Sequence, residues 1–309
     1  MIKYGLTCIP EILKERDKTL AYRTMTRKRF LSLDHSDALS QLSERILHNM
    51  RFASKVVQHC AELGISHYRI PESFPLITDP TLNLRMVDLP DYTEIMDAIR
   101  DIGTTAKKLG VRIGCHPSQF VILASPNPLV VSKSIDELKL CGWFFDNMKL
   151  PRDHRSPINI HTSCSIKDGS SLEQIGDRIF ESLARCGPAV SQRFTLENED
   201  KSSFNCETLY KLHCYIRDTH GVTIPLVWDN LHDSCNPSSD GDWLNIFKST
   251  WPSHITPVMH WSEGGLNGNK RSHVQYISES VGAPTDDSVI WELEVKAKDK
   301  AILQLLKNE

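Results

Sequence analysis

Short runs of β-branched, aromatic and other apolar residues recur along the chain, and between most of them lie longer stretches with apolar positions spaced three and four apart. The runs are IKYGLTC (2–8), SHYRI (66–70), VRIGCH (111–116), PINIHT (157–162), RFTLEN (193–198), IPLVWD (224–229), TPVMHW (256–261) and VIWELEV (289–295). Most are too apolar throughout to be half-solvated antiparallel strands, which favours a parallel sheet covered on both faces. The intervening segments 38–63, 92–110, 131–148, 172–186, 205–219 and 297–307 read as helices. In the first, Leu39, Leu42, Ile46 and Met50 fall on one face, and SLEQ at 171–174 has the form of a capping box. Eight β/α alternations predict a single (β/α)8 TIM barrel spanning 1–309. The competing doubly wound sheet would need a glycine-rich phosphate loop, and the segment 113–120 has none.

The stretches 71–90, 233–243 and 262–270, rich in Pro, Gly, Ser or Asn, are expected to be loops near the site. Composition adds exclusions. A net charge of −3 announces neither a nucleic acid nor a membrane, so an enzyme acting on DNA would have to concentrate its cations locally. Nine cysteines, an odd number without a C-x-x-C pair, argue against a disulfide framework or a zinc ribbon, and Cys115 and Cys164 read as small buried thiols. The opening MIKYGLTCIPE lacks the apolar segment and cleavage site of a secretory leader, and no run approaches a membrane span. The expected setting is the cytoplasm, with the nucleoid, or the nucleus of a eukaryote.

The strand ends carry the chemistry. His116 ends the third run, His161 the fourth, Glu197 the fifth, Asp229 the sixth with His232 three residues on, His260 the seventh, and Glu294 falls near the end of the eighth. His273 is expected to begin a helical segment after the seventh strand's loop. A barrel gathers these ends at its C-terminal mouth. Imidazoles and carboxylates converging there would repel and desolvate one another without a cation, and they suit zinc or manganese. Eight ligands exceed one ion, so two or three ions sharing a carboxylate are expected. Taken singly, each has a structural alternative: a hydrogen-bonded core histidine, Asp229 as a helix N-cap, Glu294 as an ion-pair partner. His67 reads as core. His35, His48, His59, His154, His213, His220 and His254 fall in helices or loops and are expected at the surface. Such a cluster serves phosphoryl hydrolysis, and similar ligands on the same barrel serve sugar isomerisation. Composition does not separate the two.

The stretches YRTMT (22–26), HYRIPESFPLITDP (67–80), HPSQFVILASPNP (116–128), VSKSIDEL (131–138), INIHT (158–162), FTLENEDK (194–201), PLVWDNLHDSCNP (225–237), RSHVQYI (271–277) and ELEVKAKDKAI (292–302) resemble the UV damage endonucleases nearly end to end. A more distant likeness is to endonuclease IV. The resemblance implies a metal-dependent DNA repair nuclease that acts on double-stranded DNA as a monomer. It would nick immediately 5′ to cyclobutane pyrimidine dimers or 6-4 photoproducts, leaving a 3′-hydroxyl and a 5′-phosphate. Manganese is the expected ion, with zinc the alternative. By the family pattern His116, His161 and Glu197 would hold a first ion. Glu197, Asp229, His260 and Glu294 would hold a second, and His232 and His273 a third. Glu197 would also orient the attacking water.

In the family the pair after HP-x enters the duplex opposite the lesion. Here it would be Gln119 and Phe120, whose plain alternative is a loop cap and mouth packing. Arg69, Lys201, Lys270, Arg271 and Lys296 are candidate phosphate contacts. Departures fall at Leu6 and Ile9-Pro10, where some relatives place lesion-side residues, at Val258, where some carry a lysine, and at Gln275, often acidic. They bear on lesion range and metal tuning. The alternatives are an abasic-site endonuclease of the endonuclease IV type, a sugar isomerase or epimerase on the same barrel, and a non-catalytic damage binder.

Overall fold

The computed structural model describes residues 1–166, 170–265 and 269–308. β1 (Lys3–Thr7) is followed by two short helices, α1 (Glu11–Arg16) and α2 (Arg27–Leu31), and then by α3 (His35–Glu62). β2 (His67–Ile70) leads through 71–91 to α4 (Tyr92–Leu109), and β3 (Arg112–Cys115) precedes α5 (Pro128–Asn147). β4 (Ile158–His161) is followed by α6 (Leu172–Cys186) and α7 (Pro188–Ser191), and β5 (Phe194–Glu197) by α8 (Cys206–His220). β6 (Leu226–Val227) precedes α9 (Asn230–Cys235) and α10 (Trp243–Ser249), β7 (Val258–Trp261) runs on to β8 (Ile290–Leu293), and α11 (Asp299–Asn308) comes last.

The eight strands form one sheet in the order β6-β5-β4-β3-β2-β1-β8-β7 with every pairing parallel. The ring is completed at the seam between β6 and β7 by an isolated parallel bridge of Asp229 with His260, where the amide of His260 donates to the carbonyl of Trp228 at 2.9 Å. This is the eight-stranded barrel the rhythm of apolar runs predicts.

Successive strand residues face opposite sides of a sheet. Tyr4 and Leu6, Tyr68 and Ile70, Ile158 and Ile160, and Phe194 and Leu196 are all buried in the hydrophobic core. The alternate positions meet one another inside the barrel, between strands that are adjacent or one apart: the amide of Asn159 reaches Glu197, Thr195 reaches Asn159, and His67 approaches Glu292. The barrel is therefore apolar against its helices and polar in the upper part of its interior. Room for that polar layer comes from two glycines. A Cβ on Gly5 would stand 3.0 Å from Cγ of Glu292, and one on Gly114 would stand 3.1 Å from the His67 ring.

Helix starts follow the local signals. Ser171 accepts from the amide of Gln174 while the Gln174 side chain accepts from the amide of Ser171, completing the capping box. Asn127 and Asn205 cap α5 and α8 in the same way. On α3, Leu42, Ile46 and Met50 are buried and Leu39 is partly so.

Several expectations fail for stated reasons. Among the described residues no helix lies between β7 and β8, so His273 does not begin one. The carboxylate of Glu263 instead accepts the amide and hydroxyl of Ser278, and His273 bridges Gly264, which folds the segment across the mouth. Residues 266–268 of the loop placed at 262–270 lie outside the described residues. The stretch 233–243 is in part helical, since α9 reaches Cys235. His59 and His213 are buried, not superficial. His59 Nε2 meets Asp299 at 2.8 Å, and Asp299 also accepts the amides of Glu11 and Ile12, so one carboxylate joins α1, α3 and α11. His213 Nδ1 donates to the carbonyl of Ile224 at 2.8 Å. Cys115 and Cys164 are only partly buried. No helix among the described residues is long and apolar enough to cross a membrane.

Gly103 offers a test of packing against propensity. Alanine is favoured over glycine inside a helix by about 1 kcal/mol. Yet a Cβ on Gly103 would lie 1.8 Å from the carbonyl oxygen of Met148, a backbone atom that cannot rotate away. Gly103→Ala is expected to be destabilising by ~1–3 kcal/mol, read as a lowered midpoint in urea unfolding.

Candidate metal centre at the mouth of the barrel

The strand register sets the site. His161 and Glu197 are paired on adjacent strands, as are His260 and Glu292. His116 follows β3 directly, Asp229 is the N-cap of α9, and His232 lies in its first turn. Glu197 sits at the centre, 1% exposed. Its Oε2 lies 3.1 Å from His116 Nε2 and accepts the Asn159 amide at 2.6 Å. Its Oε1 lies 3.1 Å from Nδ1 of both His232 and His260 and 3.9 Å from His161 Nε2. The Thr195 hydroxyl donates to Asn159 Oδ1 at 2.9 Å, which fixes the amide's orientation and turns its N–H toward Glu197.

Three overlapping groups each bring one donor atom per residue within 4.8 Å of the others: His116, His161 and Glu197; Glu197, Asp229 and His232; Asp229, His260 and Glu294. Glu197 and Asp229 are each common to two groups. The first is the set the resemblance assigns to a first ion. His232 joins Glu197 and Asp229 rather than His273. His273 stands at the edge, its Nε2 3.5 Å from Glu294 Oε2, and belongs to none of the three groups.

The structural alternatives prove compatible with a ligand role. Asp229 does cap a helix: its Oδ1 accepts the amide of His232 at 2.7 Å. Its Oδ2 is buried with no hydrogen-bond partner. Glu294 does form an ion pair, with Arg69, while its Oε1 also lies 3.3 Å from His260 Nδ1. His260 Nδ1 is likewise buried without a hydrogen-bond partner. Unpartnered buried polar atoms are costly, and here a carboxylate oxygen and an imidazole nitrogen face the same point. That donor set fits a divalent cation of the zinc or manganese type.

The charges agree. Burial opposes ionisation of Glu197, but His260, His161, His116 and His232 together outweigh it and hold its carboxyl well below the usual range. Burial raises Asp229, helped by Glu197 and Glu294 and opposed by His232. Burial also resists the charging of His232, yet Asp229 and Glu197 push it up to about 11, and the carboxylates Glu197 and Glu294 raise His260 in the same way. His161 is brought down to about 4 by burial. Without an ion, the carboxylates favour protonation of His232 and His260, in the place a cation would take.

Several residues of the centre escape the sequence reading. Glu292 is buried, with Oε2 3.2 Å from His260 Nε2 and Oε1 2.9 Å from His67 Nε2. Its signal is the period of two in WELE, which puts Glu292 on the same face as Glu294. Asn159 has the same relation to His161. Glu199 is buried, accepts the amide of Ser163 at 2.6 Å, and is raised by burial to about 7. Arg69, a candidate phosphate contact, has its side chain 12% exposed and paired with Glu292 and Glu294.

His116, His161 and His232 open onto a cavity of about 610 Å³ that is also lined by Gln119, Ser163, Glu199, Asp200 and Lys201. Gln119 is exposed, and Phe120 beside it is 75% exposed, so it is not packed into the mouth. Lys201, Lys270, Arg271 and Lys296 are exposed, with Arg271 3.2 Å from Asp200 and Lys296 3.4 Å from the Ser272 hydroxyl. Leu6 and Pro10 are buried, while Ile9 is 38% exposed.

Fold and site together define a (β/α)8-barrel enzyme whose mouth is lined with potential metal ligands. The family model described as UV-endonuclease UvdE matches residues 2–309, and the chain belongs to that family, a family of DNA repair endonucleases. A UV DNA damage endonuclease from Nostoc sp. is 28% identical over 310 residues, covering 97% of this chain and 88% of the relative. The crystal structure of SacUVDE superposes with a TM-score of 0.80 at 24% identity, covering 100% of this chain and 98% of that one. Endonuclease IV from Thermus thermophilus shares the fold with a TM-score of 0.57 at 15% identity, covering 99% of this chain and 98% of that one.

Asp229→Asn separates the two duties of this residue. Asparagine caps a helix about as well as aspartate, so stability without metal is expected to change by less than about 1 kcal/mol. Binding of Mn²⁺, measured by calorimetric titration without DNA, is expected to weaken by at least the roughly 10–100-fold that follows loss of even an outer partner of a ligand.

Proposed function

We propose that this chain is a metal-dependent endonuclease that nicks duplex DNA immediately 5′ to a UV photoproduct, leaving a 3′-hydroxyl and a 5′-phosphate, and that it works as a monomer. The observation that carries this reading is the exposed Gln119-Phe120 pair on the rim of an open cavity whose floor is His116, His161 and His232 backed by Glu197. A sugar isomerase has no use for an unpacked aromatic at that rim.

The residues that would hold the ions are His116, His161, Glu197, Asp229, His232, His260 and Glu294, with His273 at the margin. When bound, two or three ions, Mn²⁺ before Zn²⁺, lower the pKa of a bound water and stabilise charge on the phosphate oxygens. The chain's own part is placement. Thr195 and Asn159 fix Glu197, which orients the attacking water. Photoproducts are poorly stacked, so displacing one requires less energy than displacing a sound pair. Phe120 fills the gap by stacking, and Gln119 meets the unpaired bases with its amide. Lys201, Lys270, Arg271 and Lys296 hold the backbone around the rim.

A second reading, abasic-site cleavage, is favoured by the burial of Leu6 and Pro10, two of the positions where some relatives place lesion-side residues, which loosens demands on lesion shape.

The test is a nicking assay on three duplexes, one with a single cyclobutane dimer, one with an abasic site and one undamaged, each with Mn²⁺ and with chelator. A Mn²⁺-dependent cut directly 5′ to the dimer is expected. Cutting only at the abasic site selects the second reading, and no cutting of any duplex by metal-loaded protein overturns both. Glu197→Gln is expected to lower nicking more than about 100-fold, beyond the loss typical of an outer-shell partner, and undiminished nicking would remove Glu197 from the centre.

Stacking on an aromatic side chain contributes ~1–3 kcal/mol per base. Phe120→Ala is therefore expected to weaken binding to the dimer duplex by about 5–150-fold while leaving undamaged duplex nearly unaffected. Equal losses on both, in a fluorescence anisotropy titration, would exclude the wedge.

A further inference from the structure

We propose that Glu292, which lies outside the candidate ligand set, is the positioning residue of the centre: it accepts a hydrogen bond from the Nε2–H of His260 and so leaves Nδ1 as the lone pair that meets an ion held with Asp229 and Glu294. The proposal rests on the metal-centre reading above and assigns a role that reading does not need.

A neutral imidazole carries one proton, and the partner of one ring nitrogen decides what the other can do. At His260 the two nitrogens face different surroundings. Nε2 looks inward to a single group, Glu292 Oε2, at 3.2 Å. Nδ1 looks to the mouth, 3.1 Å from Glu197, 3.3 Å from Glu294 and 3.8 Å from Asp229. With a cation on the Nδ1 side, the neutral ring keeps its one proton on Nε2, and Glu292 Oε2, buried and otherwise without a hydrogen-bond partner, stands within reach to accept it.

The other mouth imidazoles are oriented differently. Nδ1 of His116 lies 3.0 Å from the carbonyl of Pro117, and Nδ1 of His232 lies 2.9 Å from that of Asn198. Both have a neutral backbone oxygen at Nδ1, although His232 Nδ1 also lies 3.1 Å from Glu197 Oε1. His260 faces a charged partner, which raises the basicity of the ring nitrogen opposite and strengthens its hold on a cation.

Glu292 is fixed in place for this. His67 Nε2 lies 2.9 Å from its Oε1, and Arg69 lies 3.0 Å from its Oε2 and also contacts Glu294. Direct pairing of His260 with Glu292 in the β7–β8 register sets the reach, and the missing side chains of Gly5 and Gly114 leave the space. Arg69 and His260 approach Oε2 and His67 approaches Oε1, so basic groups hold both oxygens of the carboxylate beside His260.

Two binding titrations and one spectrum test this. Calorimetric titration of Mn²⁺ into the full chain without DNA is expected to show about 10–100-fold weaker binding in Glu292→Gln, with the circular dichroism of the metal-free protein unchanged. Glu292→Asp keeps a charge for Arg69 and His67 but withdraws it from His260, and a loss of the same order is expected. In Zn²⁺-loaded wild type, ¹⁵N imidazole resonances, assigned through His260→Asn, are expected to show a protonated Nε2 and a coordinated Nδ1 at His260. This last measurement stands even where a variant fails to fold. Unchanged affinity in a folded variant, or zinc on Nε2, overturns the role of Glu292 and leaves the metal centre standing. Wild type that binds neither ion overturns the metal centre itself.

Discussion

Four carboxylates, those of Glu197, Asp229, Glu292 and Glu294, are buried or nearly so in the upper lumen of one barrel. Such a grouping is intolerable in a low-dielectric interior unless positive charge is brought to it. The surrounding structure is largely a response to that demand. Arg69 is drawn inward to two of the acids, His67 and His260 flank Glu292, and four imidazoles surround Glu197. The glycines at positions 5 and 114 make the space, and the helices outside carry the apolar burial that the lumen forgoes. His116, His161 and His232 face the open cavity, so a cation completing the balance would enter from that side.

How much of this could be read from the chain depends on how many strands each feature involves. The barrel was legible because parallel strands covered on both faces leave apolar runs, and all eight runs became strands. The ligand-type residues were legible because a barrel delivers strand ends to one place, so His116, His161, Glu197, Asp229 and His260 needed only their positions along the chain. Glu292 and Asn159 lie one side-chain period deeper, where an isolated polar residue inside an apolar run gives no hint of its partners. Arg69 reads as a surface cation until β8 is placed near β2 with two acids facing it. His59 is invisible for the same reason: its partner Asp299 is 240 residues away. The helix expected at His273 failed because Glu263 supplies local hydrogen bonds that favour an irregular crossing over a helix.

The family assignment and the geometry bear on different questions. Membership covers residues 2–309 and makes the chain a DNA repair endonuclease. The departures from some relatives fall at Leu6, Ile9-Pro10, Val258 and Gln275. Leu6, Pro10 and Val258 are buried. The exposed loop bearing Gln119 and Phe120 is tied down at its flanks, where the amide of Ser118 meets Glu137 and the amide of Ile122 meets Ser134. In the proposed reading this loop meets the distorted duplex, and a rim with one anchored prominence would select for how easily a duplex opens more than for the outline of what it contains.

The seam between β6 and β7 carries a mechanical consequence. The sheet closes there through one bridge, and its two members, Asp229 and His260, also belong to one candidate ligand group. An ion shared by them would act as a rivet across a split ring. Loading would tighten the hoop as a whole, because strain admitted at a single gap is felt all the way around, and unloading would let the circumference breathe at that gap first. The circular continuity of the wall and the occupancy of its mouth would then be one mechanical variable.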